Sequence, residues 1–269
     1  MPVIYTPDDR FDDLPGFPYL PHTVEIDGLR VHYVEQGTGE DVILCLHGEP
    51  SWSYLYRKLI PPLSAQQRVI AMDFIGFGRS AKYTDKDAYS FQMHFDTLAG
   101  FIEALDLHRI TAVVQDWGGL IGLPAAAQLS DRFARLVIMN TGLPTGDEPM
   151  PRAFLAWQKI SARAKDLPVG QVIQQGTISE LPPEVIAAYE APFPDTSYTA
   201  GASIWPSLVP TQPDQPGAAE LREARQKLAK WDKPALVMFS DGDPITRGGD
   251  RFFRDLIPTA RDQPEITIT

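Results

Sequence analysis

The chain has 269 residues, of which 43% are hydrophobic and 22% are charged, and its net charge is −11. These values predict a globular protein with a sizeable core, built as one large domain with an insertion or as two modest domains. The negative charge argues against nucleic acid or an anionic membrane surface as a partner, and no apolar run approaches the roughly 18 residues that span a bilayer.

The N-terminal segment does not resemble a secretory signal. Residues Met1 to Tyr19 are polar and proline-rich, without the basic and apolar segments of a signal peptide. Cys45, the single cysteine, lies in an apolar run, which predicts a buried thiol without a disulfide partner. We therefore expect a cytoplasmic protein, and we expect it to be a monomer.

Short apolar runs alternate with helical patterns along most of the chain. Val24 to Glu35 alternates around Asp27-Gly28, which predicts a β-hairpin, and Val42 to Leu46 is apolar on both faces, as in a buried parallel strand. Strand, helix, strand in this order predicts an α/β protein with a mostly parallel, doubly wound sheet. The later strands are predicted at Val69 to Met72, Ile110 to Val114, Leu136 to Met139 and Ala235 to Phe239, and helices at Tyr54 to Leu63, Ser90 to Leu105 and Leu120 to Leu129.

The alternation stops after Asn140. From Gly142 to Pro213 the sequence is rich in proline and aromatic residues and contains no run typical of a buried strand. We predict a helical cap over residues 142–213, inserted between the sixth and seventh strands of a core formed by residues 1–141 and 214–269. Because ligands of open α/β sheets bind at the carboxyl ends of the strands, a cap inserted at that edge would cover the site and exclude water.

The segment VVQDWGG (residues 113–119) carries the first candidate for chemistry. An apolar strand ends in Asp116, and two glycines and a helix follow at once, which is typical of a nucleophile elbow. A carboxylate suits attack on an sp³ carbon, giving an alkyl ester, and the following helix N-terminus would stabilise its charge. The alternative is that Asp116 only caps the helix. Val114 departs from a strict elbow, which has a small residue at that position.

Three further loops follow predicted strands. The His47-Gly48-Glu49 turn lies where α/β-hydrolases place an oxyanion-hole amide, so the backbone N–H groups of Glu49 and Trp117 are the predicted donors, and His47 is predicted to brace the loop rather than to act as a base. A G-x-G spacing at residues 76–78 lacks the third glycine of a dinucleotide site and predicts a structural loop. After the strand that follows the insertion, Asp243 is the predicted triad acid, with Asp241 or a plain polar turn as alternatives.

Four segments of the sequence carry a family resemblance: HGEPSWSYLYRKLIPPL, VVQDWGG, APFPDTSY and DPITRGG resemble the haloalkane dehalogenases, in the subfamily with an Asp-His-Asp triad and two halide-binding tryptophans. The similarity extends from Thr6 to the end of the chain. It implies the α/β-hydrolase fold, a small apolar halogenated substrate with halide and water, and no metal or organic cofactor. The implied site residues are Asp116 as nucleophile, Asp243 as triad acid, Trp117 and Trp157 as halide-binding residues, and the Glu49 and Trp117 amides as the oxyanion hole.

The halide assignment has a physical basis that is independent of the family name. An indole N–H is a donor without an acceptor lone pair, on a large apolar ring, so two indoles can stabilise a departing halide while the pocket stays dry. The cap pattern alone would favour a core aromatic at Trp157. A further set of residues is expected to line either the apolar pocket or the core of the cap: Phe154, Phe193, Trp205, Pro206 and Leu208.

The histidines depart from the family pattern, in which the base histidine lies on a loop beyond one more strand. Glu265 to Thr269 is predicted to be that strand, and the five histidines all precede it: His22, His32, His47, His94 and His108. We expect these residues to be the retained part of a longer chain, the alternative being a truncated protein. As the sequence stands, we expect alkylation at Asp116 followed by slow hydrolysis of the ester.

Two other functions are compatible with parts of the sequence. An epoxide hydrolase also combines an aspartate nucleophile with a cap, and would use cap tyrosines such as Tyr189 and Tyr198 to protonate the epoxide oxygen. A pseudo-hydrolase that binds an apolar ligand or a partner under its cap would explain the missing base. Trp157, together with Trp117 beside the nucleophile, favours halide chemistry over the first alternative.

Overall fold

The central feature of the fold is one twisted sheet. In a computed structural model, which describes residues 2–269, eight strands form this sheet in the order β8-β7-β6-β5-β3-β4-β2-β1. The β1–β2 and β2–β4 pairs are antiparallel and the other pairs are parallel, as the alternation of strands and helices predicts. The strands are β1 Pro21–Ile26, β2 Leu29–Gln36, β3 Val42–Leu46, β4 Arg68–Met72, β5 Ile110–Gln115, β6 Phe133–Met139, β7 Ala235–Ser240 and β8 Ile266–Ile268.

The predicted hairpin is confirmed. Ile26 pairs with Leu29 across a two-residue turn, in which Asp27 has φ 50° and Gly28 has φ 77°. Both φ values are positive, as in the turns whose twist matches that of the flanking strands. The hairpin lies at one edge of the sheet, and the fully buried strand β3 lies near its centre.

The helices on either side of the sheet follow most of the predicted bounds. Helices α2 (Phe91–Ala104) and α3 (Trp117–Gln128) cover the predicted segments, although α3 begins three residues earlier than expected, directly after Asp116. The single helix predicted for Tyr54 to Leu63 is wrong. The structure has a 3₁₀ segment, Ser53–Lys58, and then the short helix α1, Ile60–Ser64. Proline fits only the first turn of a helix, so the pair at residues 61–62 requires a new helix to begin there.

The segment between β6 and β7 is helical, and it ends in helix α8, which packs against α3. In the described chain no strand lies between Met139 and Ala235. The helices of this segment are α4 Arg152–Arg163, α5 Val169–Gln175, α6 Pro183–Glu190, α7 Ala200–Leu208 and α8 Ala218–Leu228; α9, Gly249–Leu256, follows β7. None of the helices formed by residues 2–269 has the length and hydrophobicity to cross a bilayer.

Candidate active site

Asp116 lies at a sharp turn between β5 and α3, with φ 52° and ψ −121°. A non-glycine residue with this φ is strained by about 1–3 kcal/mol, and the surrounding contacts must hold it. Asp116 donates its N–H to the carbonyl of Asn140 at 3.0 Å and its carbonyl accepts the Thr141 hydroxyl at 2.6 Å. A Cβ at Gly118 would lie 2.0 Å from the Leu46 carbonyl oxygen, so the helix can approach the sheet only with glycine there. The turn is therefore a nucleophile elbow in its geometry.

Two backbone amides point at the Asp116 carboxylate. The Glu49 N–H donates to Asp116 Oδ1 at 2.7 Å, and the Trp117 N–H donates to the same carboxylate. Burial raises the pKa of Asp116 to about 6, against the lowering effect of these two hydrogen bonds, and the negative charge of Asp243 raises it further. The carboxylate keeps a partly accessible face, since it borders a cavity. Both amides predicted for an oxyanion hole thus meet at the predicted nucleophile.

Asp243 is held on the loop after β7 by three hydrogen bonds. Its Oδ1 accepts the Ile245 N–H at 2.8 Å, while its Oδ2 accepts the Asn140 side-chain amide at 3.1 Å and the Thr246 hydroxyl. The alternative acid, Asp241, is exposed and contacts strand β8 through its backbone. Asn140 was not predicted as a site residue. Its only signal in the sequence is its position at the end of the last strand before the insertion, next to the other strand ends.

The two predicted halide-binding tryptophans differ in their hydrogen bonds. Within residues 2–269 no protein acceptor lies in hydrogen-bonding distance of Trp117 Nε1, whereas the Trp157 N–H donates to Glu49 Oε2 at 3.0 Å. Trp205 stacks on Trp117 with ring centroids 4.7 Å apart, and its own N–H donates to His94 Nε2. The stacking contact with Trp205 therefore holds the ring of Trp117 in place, and the Trp117 N–H remains free for a ligand.

The Glu49 side chain is a buried carboxyl group beside a second one. Burial and the negative charge of Asp116 raise the pKa of Glu49 well above its ordinary value, and the hydrogen bond from Trp157 only partly opposes this. Its Oε1 is inaccessible and has no hydrogen-bond partner among residues 2–269. Burial and the neighbouring charge of Asp116 therefore favour the neutral form of Glu49 over the carboxylate.

A cavity of about 430 Å³ joins these groups. The cavity is bordered by Asp116, Trp117, Trp157 and Glu49. The remaining wall is largely apolar. That wall includes Leu120, Leu143, Met150, Phe154, Pro206, Val209 and Phe252. Five residues were expected to line either the pocket or the core of the cap. Of these, Phe154 and Pro206 line the cavity, while Phe193, Trp205 and Leu208 do not. A largely apolar cavity that presents the Asp116 carboxylate and two indoles suits an apolar, uncharged substrate.

The histidines of residues 2–269 are all engaged away from Asp116. His47 accepts the Phe74 N–H at 3.1 Å and is fully buried, which is the bracing position that was predicted. His32 contacts Asp73, His94 accepts from Trp205, His108 contacts Asp106, and His22 stacks on Tyr33 at the surface. In the described chain no imidazole connects Asp243 to Asp116.

The two cap tyrosines that an epoxide hydrolase would need lie elsewhere. The Tyr189 hydroxyl accepts a hydrogen bond from Arg57 at 3.1 Å, and neither Tyr189 nor Tyr198 lines the cavity. No tyrosine hydroxyl of the described residues therefore faces Asp116 across the cavity. The G-x-G loop is structural, as predicted, because a Cβ at Gly78 would lie 1.9 Å from the buried carboxylate of Asp73.

Comparison with known proteins identifies the family of the chain. The family model for the α/β-hydrolase fold matches residues 41–263. Over its whole length the chain is 46% identical to a haloalkane dehalogenase of Psychrobacter cryohalolentis and 44% identical to one of Mycobacterium marinum, and it covers 91% and 93% of those proteins. The solved structure of the haloalkane dehalogenase DpaA of Paraglaciecola agarilytica superposes with a TM-score of 0.93 at 34% identity, covering 100% of this chain and 92% of that one.

Proposed function

This chain belongs to the haloalkane dehalogenase family of α/β-hydrolases, and from that premise we propose how its residues break a carbon–halogen bond. The reaction is hydrolytic: a haloalkane and water give an alcohol and a halide ion. The observation that carries the assignment of residues is the shared cavity, in which a buried carboxylate with two backbone donors faces two indole rings.

The first step is displacement of the halide by Asp116. A carboxylate oxygen forms a bond to the carbon that bears the halogen, and the carbon–halogen bond breaks with its electron pair going to the halide. The product is an alkyl ester on Asp116. The apolar wall leaves the carboxylate poorly solvated, which favours attack on a neutral carbon, and the elbow holds its oxygen toward the cavity.

Trp117 and Trp157 stabilise the departing halide. Charge develops on the halogen only as the bond breaks, so donors placed around it stabilise the transition state more than the neutral substrate. The Trp117 N–H is free for this purpose, whereas the Trp157 N–H first has to leave Glu49. Aliphatic side chains could not replace the two indoles because they lack a donor.

The second step is hydrolysis of the ester. Water attacks the carbonyl carbon of alkylated Asp116, and the negative charge that forms on its oxygen is stabilised by the N–H groups of Glu49 and Trp117. Collapse of this intermediate releases the alcohol and restores the carboxylate. Asp243 is proposed to orient the histidine that accepts the proton of the water. Such a base contributes about 10²–10⁴-fold. For a protein that consists of these 269 residues, we therefore expect the ester to accumulate.

The test is intact-protein mass spectrometry after incubation with a short brominated alkane, together with measurement of released bromide. We expect the mass of the 269-residue protein to increase by one alkyl group, with one bromide released per chain. Asp116→Asn should show neither change. Equal alkylation of Asp116→Asn would refute the nucleophile, and repeated bromide release without a mass increase would refute the accumulation of the ester.

The tryptophans are tested by bromide binding. Trp157→Phe should abolish the quenching of intrinsic fluorescence by bromide that is specific to the site, and should leave the fold intact. Trp231→Phe is the matched control, since Trp231 is buried but lies outside the cavity. If Trp157→Phe and Trp231→Phe bind bromide equally well, Trp157 is not a halide-binding residue.

Four broader properties complete the proposal. The protein is proposed to be a monomer, although the structure of DpaA is described as tetrameric, and sedimentation velocity distinguishes the two states. The proposed location is the cytoplasm. Residues 142–213 are proposed to act as the cap over a core of residues 1–141 and 214–269. The chemistry of both steps is supplied by side chains, backbone amides and water, without a metal or organic cofactor.

A further inference from the structure

The N–H group of Trp157 has two possible acceptors, the Glu49 carboxyl group and a bound halide, and the two compete for it. An indole N–H donates one good hydrogen bond, and in the structure Trp157 donates it to Glu49 Oε2 at 3.0 Å. Trp117 has no such contact to give up. A halide that binds between the two rings can therefore use the Trp157 N–H fully only when Glu49 releases it.

The charge of Glu49 decides how strongly it competes. A carboxylic acid accepts a hydrogen bond through a neutral carbonyl oxygen, which is a weaker acceptor than a carboxylate or a halide ion. The inaccessible Oε1, which has no partner among residues 2–269, would leave an ionised carboxylate poorly solvated. The backbone N–H of Glu49 donates to Asp116 Oδ1 at 2.7 Å, so an ionised Glu49 side chain would also lie near a second negative charge.

We propose that Glu49 is a positioning residue for Trp157, which holds the indole N–H at the cavity as a neutral acid and releases it to the halide. This inference rests on the proposed function of Trp157. In the neutral form, Glu49 keeps the ring in place at little energetic cost to halide binding. In the ionised form, the carboxylate would retain the N–H and would repel the halide, so halide affinity should fall when Glu49 loses its proton.

Other ionisable groups around Glu49 titrate in a different range or lie farther away. Asp116, with a pKa of about 6, is already ionised before the alkaline range, and burial lowers the pKa of the neighbouring His47, which stays neutral there. Tyr56, on the adjacent 3₁₀ segment, has a pKa far above its ordinary value because it is buried. The remaining charged groups that border the cavity are Glu148, which is paired with Arg225, and Arg247 at the surface.

The experiment is a bromide titration followed by intrinsic fluorescence, at a series of pH values from 7 to 10, on the wild type and on Glu49→Gln. Glutamine is neutral at every pH and retains an oxygen acceptor for the Trp157 N–H. As Glu49 loses its proton with rising pH, we expect the wild-type Kd for bromide to rise by at least about tenfold, as two like charges at close range require. For Glu49→Gln we expect bromide binding throughout, with a Kd that varies by less than about twofold.

The outcomes separate this inference from the proposed function. If Glu49→Gln shows the same rise in Kd as the wild type, or if neither protein shows a rise, the inference is overturned while halide binding by the tryptophans stands. If the wild type shows no site-specific response to bromide at any pH, both are overturned.

A second measurement on the wild type covers the case in which Glu49→Gln does not fold. The infrared difference spectrum at pH 8, with bromide minus without, should show a shift of a protonated carboxyl C=O band, since the carbonyl of Glu49 loses the Trp157 N–H. Asp116 is ionised at that pH and does not contribute such a band. If the carboxyl band is absent, or does not shift on bromide binding, the proposal is refuted.

Discussion

Replacing Asp116 by asparagine should stabilise the folded protein while abolishing its alkylation. The reaction needs the Asp116 carboxylate in its ionised form, but burial of that charge destabilises the folded protein. Its folded-state pKa is about 6, compared with 3.8 for an ordinary aspartate, and the largest cause is burial. An acid whose pKa is raised by folding adds stability below its unfolded pKa, and this contribution is lost as the pH rises through the folded value.

The magnitude follows from that shift. About two pKa units correspond to about 3 kcal/mol of destabilisation of the folded state at pH 7.5, and to about half of this at pH 5, where the carboxyl group is largely protonated in the folded protein. These values are upper limits, since an asparagine satisfies the two amides of Glu49 and Trp117 less well than a carboxylate does.

The assay is urea unfolding of the wild type and Asp116→Asn at both pH values, which cancels in the difference the titration of groups that do not interact with Asp116. Asp116→Asn should have the larger free energy of unfolding at pH 7.5, and its advantage should shrink by about half at pH 5. Asp243→Asn serves as a comparison, because it removes a negative charge near Asp116 but leaves the nucleophile. If Asp116→Asn is stabilised equally at both pH values, or is not stabilised at pH 7.5, then burial of the Asp116 carboxylate does not destabilise the folded protein.

Three further predictions concern the site and the side chains that pack behind Trp117. The rate of alkylation by a bromoalkane should fall about tenfold from pH 7 to pH 5, as the ionised fraction of Asp116 drops, and a flat single-turnover profile would contradict the raised pKa. Gly48→Ala would place a Cβ 2.3 Å from the Cβ of Asp116 and should slow alkylation by about 100-fold, whereas Gly142→Ala, whose nearest neighbour would lie 3.7 Å away, should alkylate normally. His94→Leu leaves the buried N–H of Trp205 without its acceptor and should cost about 1–3 kcal/mol in urea unfolding; an unchanged unfolding midpoint would mean that the hydrogen bond contributes little.

The sequence by itself determined the features that depend on neighbouring residues. Alternation of apolar runs with helical periodicity indicated the parallel sheet, because each strand and helix carries its own period. Asp27-Gly28 indicated the hairpin, since two adjacent positive φ values are required there. An apolar strand that ends at Asp116, with Gly118 and Gly119 close behind it, indicated the elbow because a tight turn needs small residues nearby in the sequence. The bounds near prolines were less well predicted, as the segment around residues 53–64 shows.

Only the tertiary structure decided which side chains from distant segments meet. Asn140 holds Asp243 from 103 residues away, and Glu49 accepts the N–H of Trp157 from 108 residues away. Phe154 lines the cavity while Phe193 does not, although both are phenylalanines of the segment between β6 and β7. A local pattern specifies which face of an element is apolar, but the neighbours of that face depend on how the elements pack. The hydrogen bond between Trp157 and Glu49 and the freedom of the Trp117 N–H therefore follow from the packing of distant segments, and no property of these residues alone predicts them.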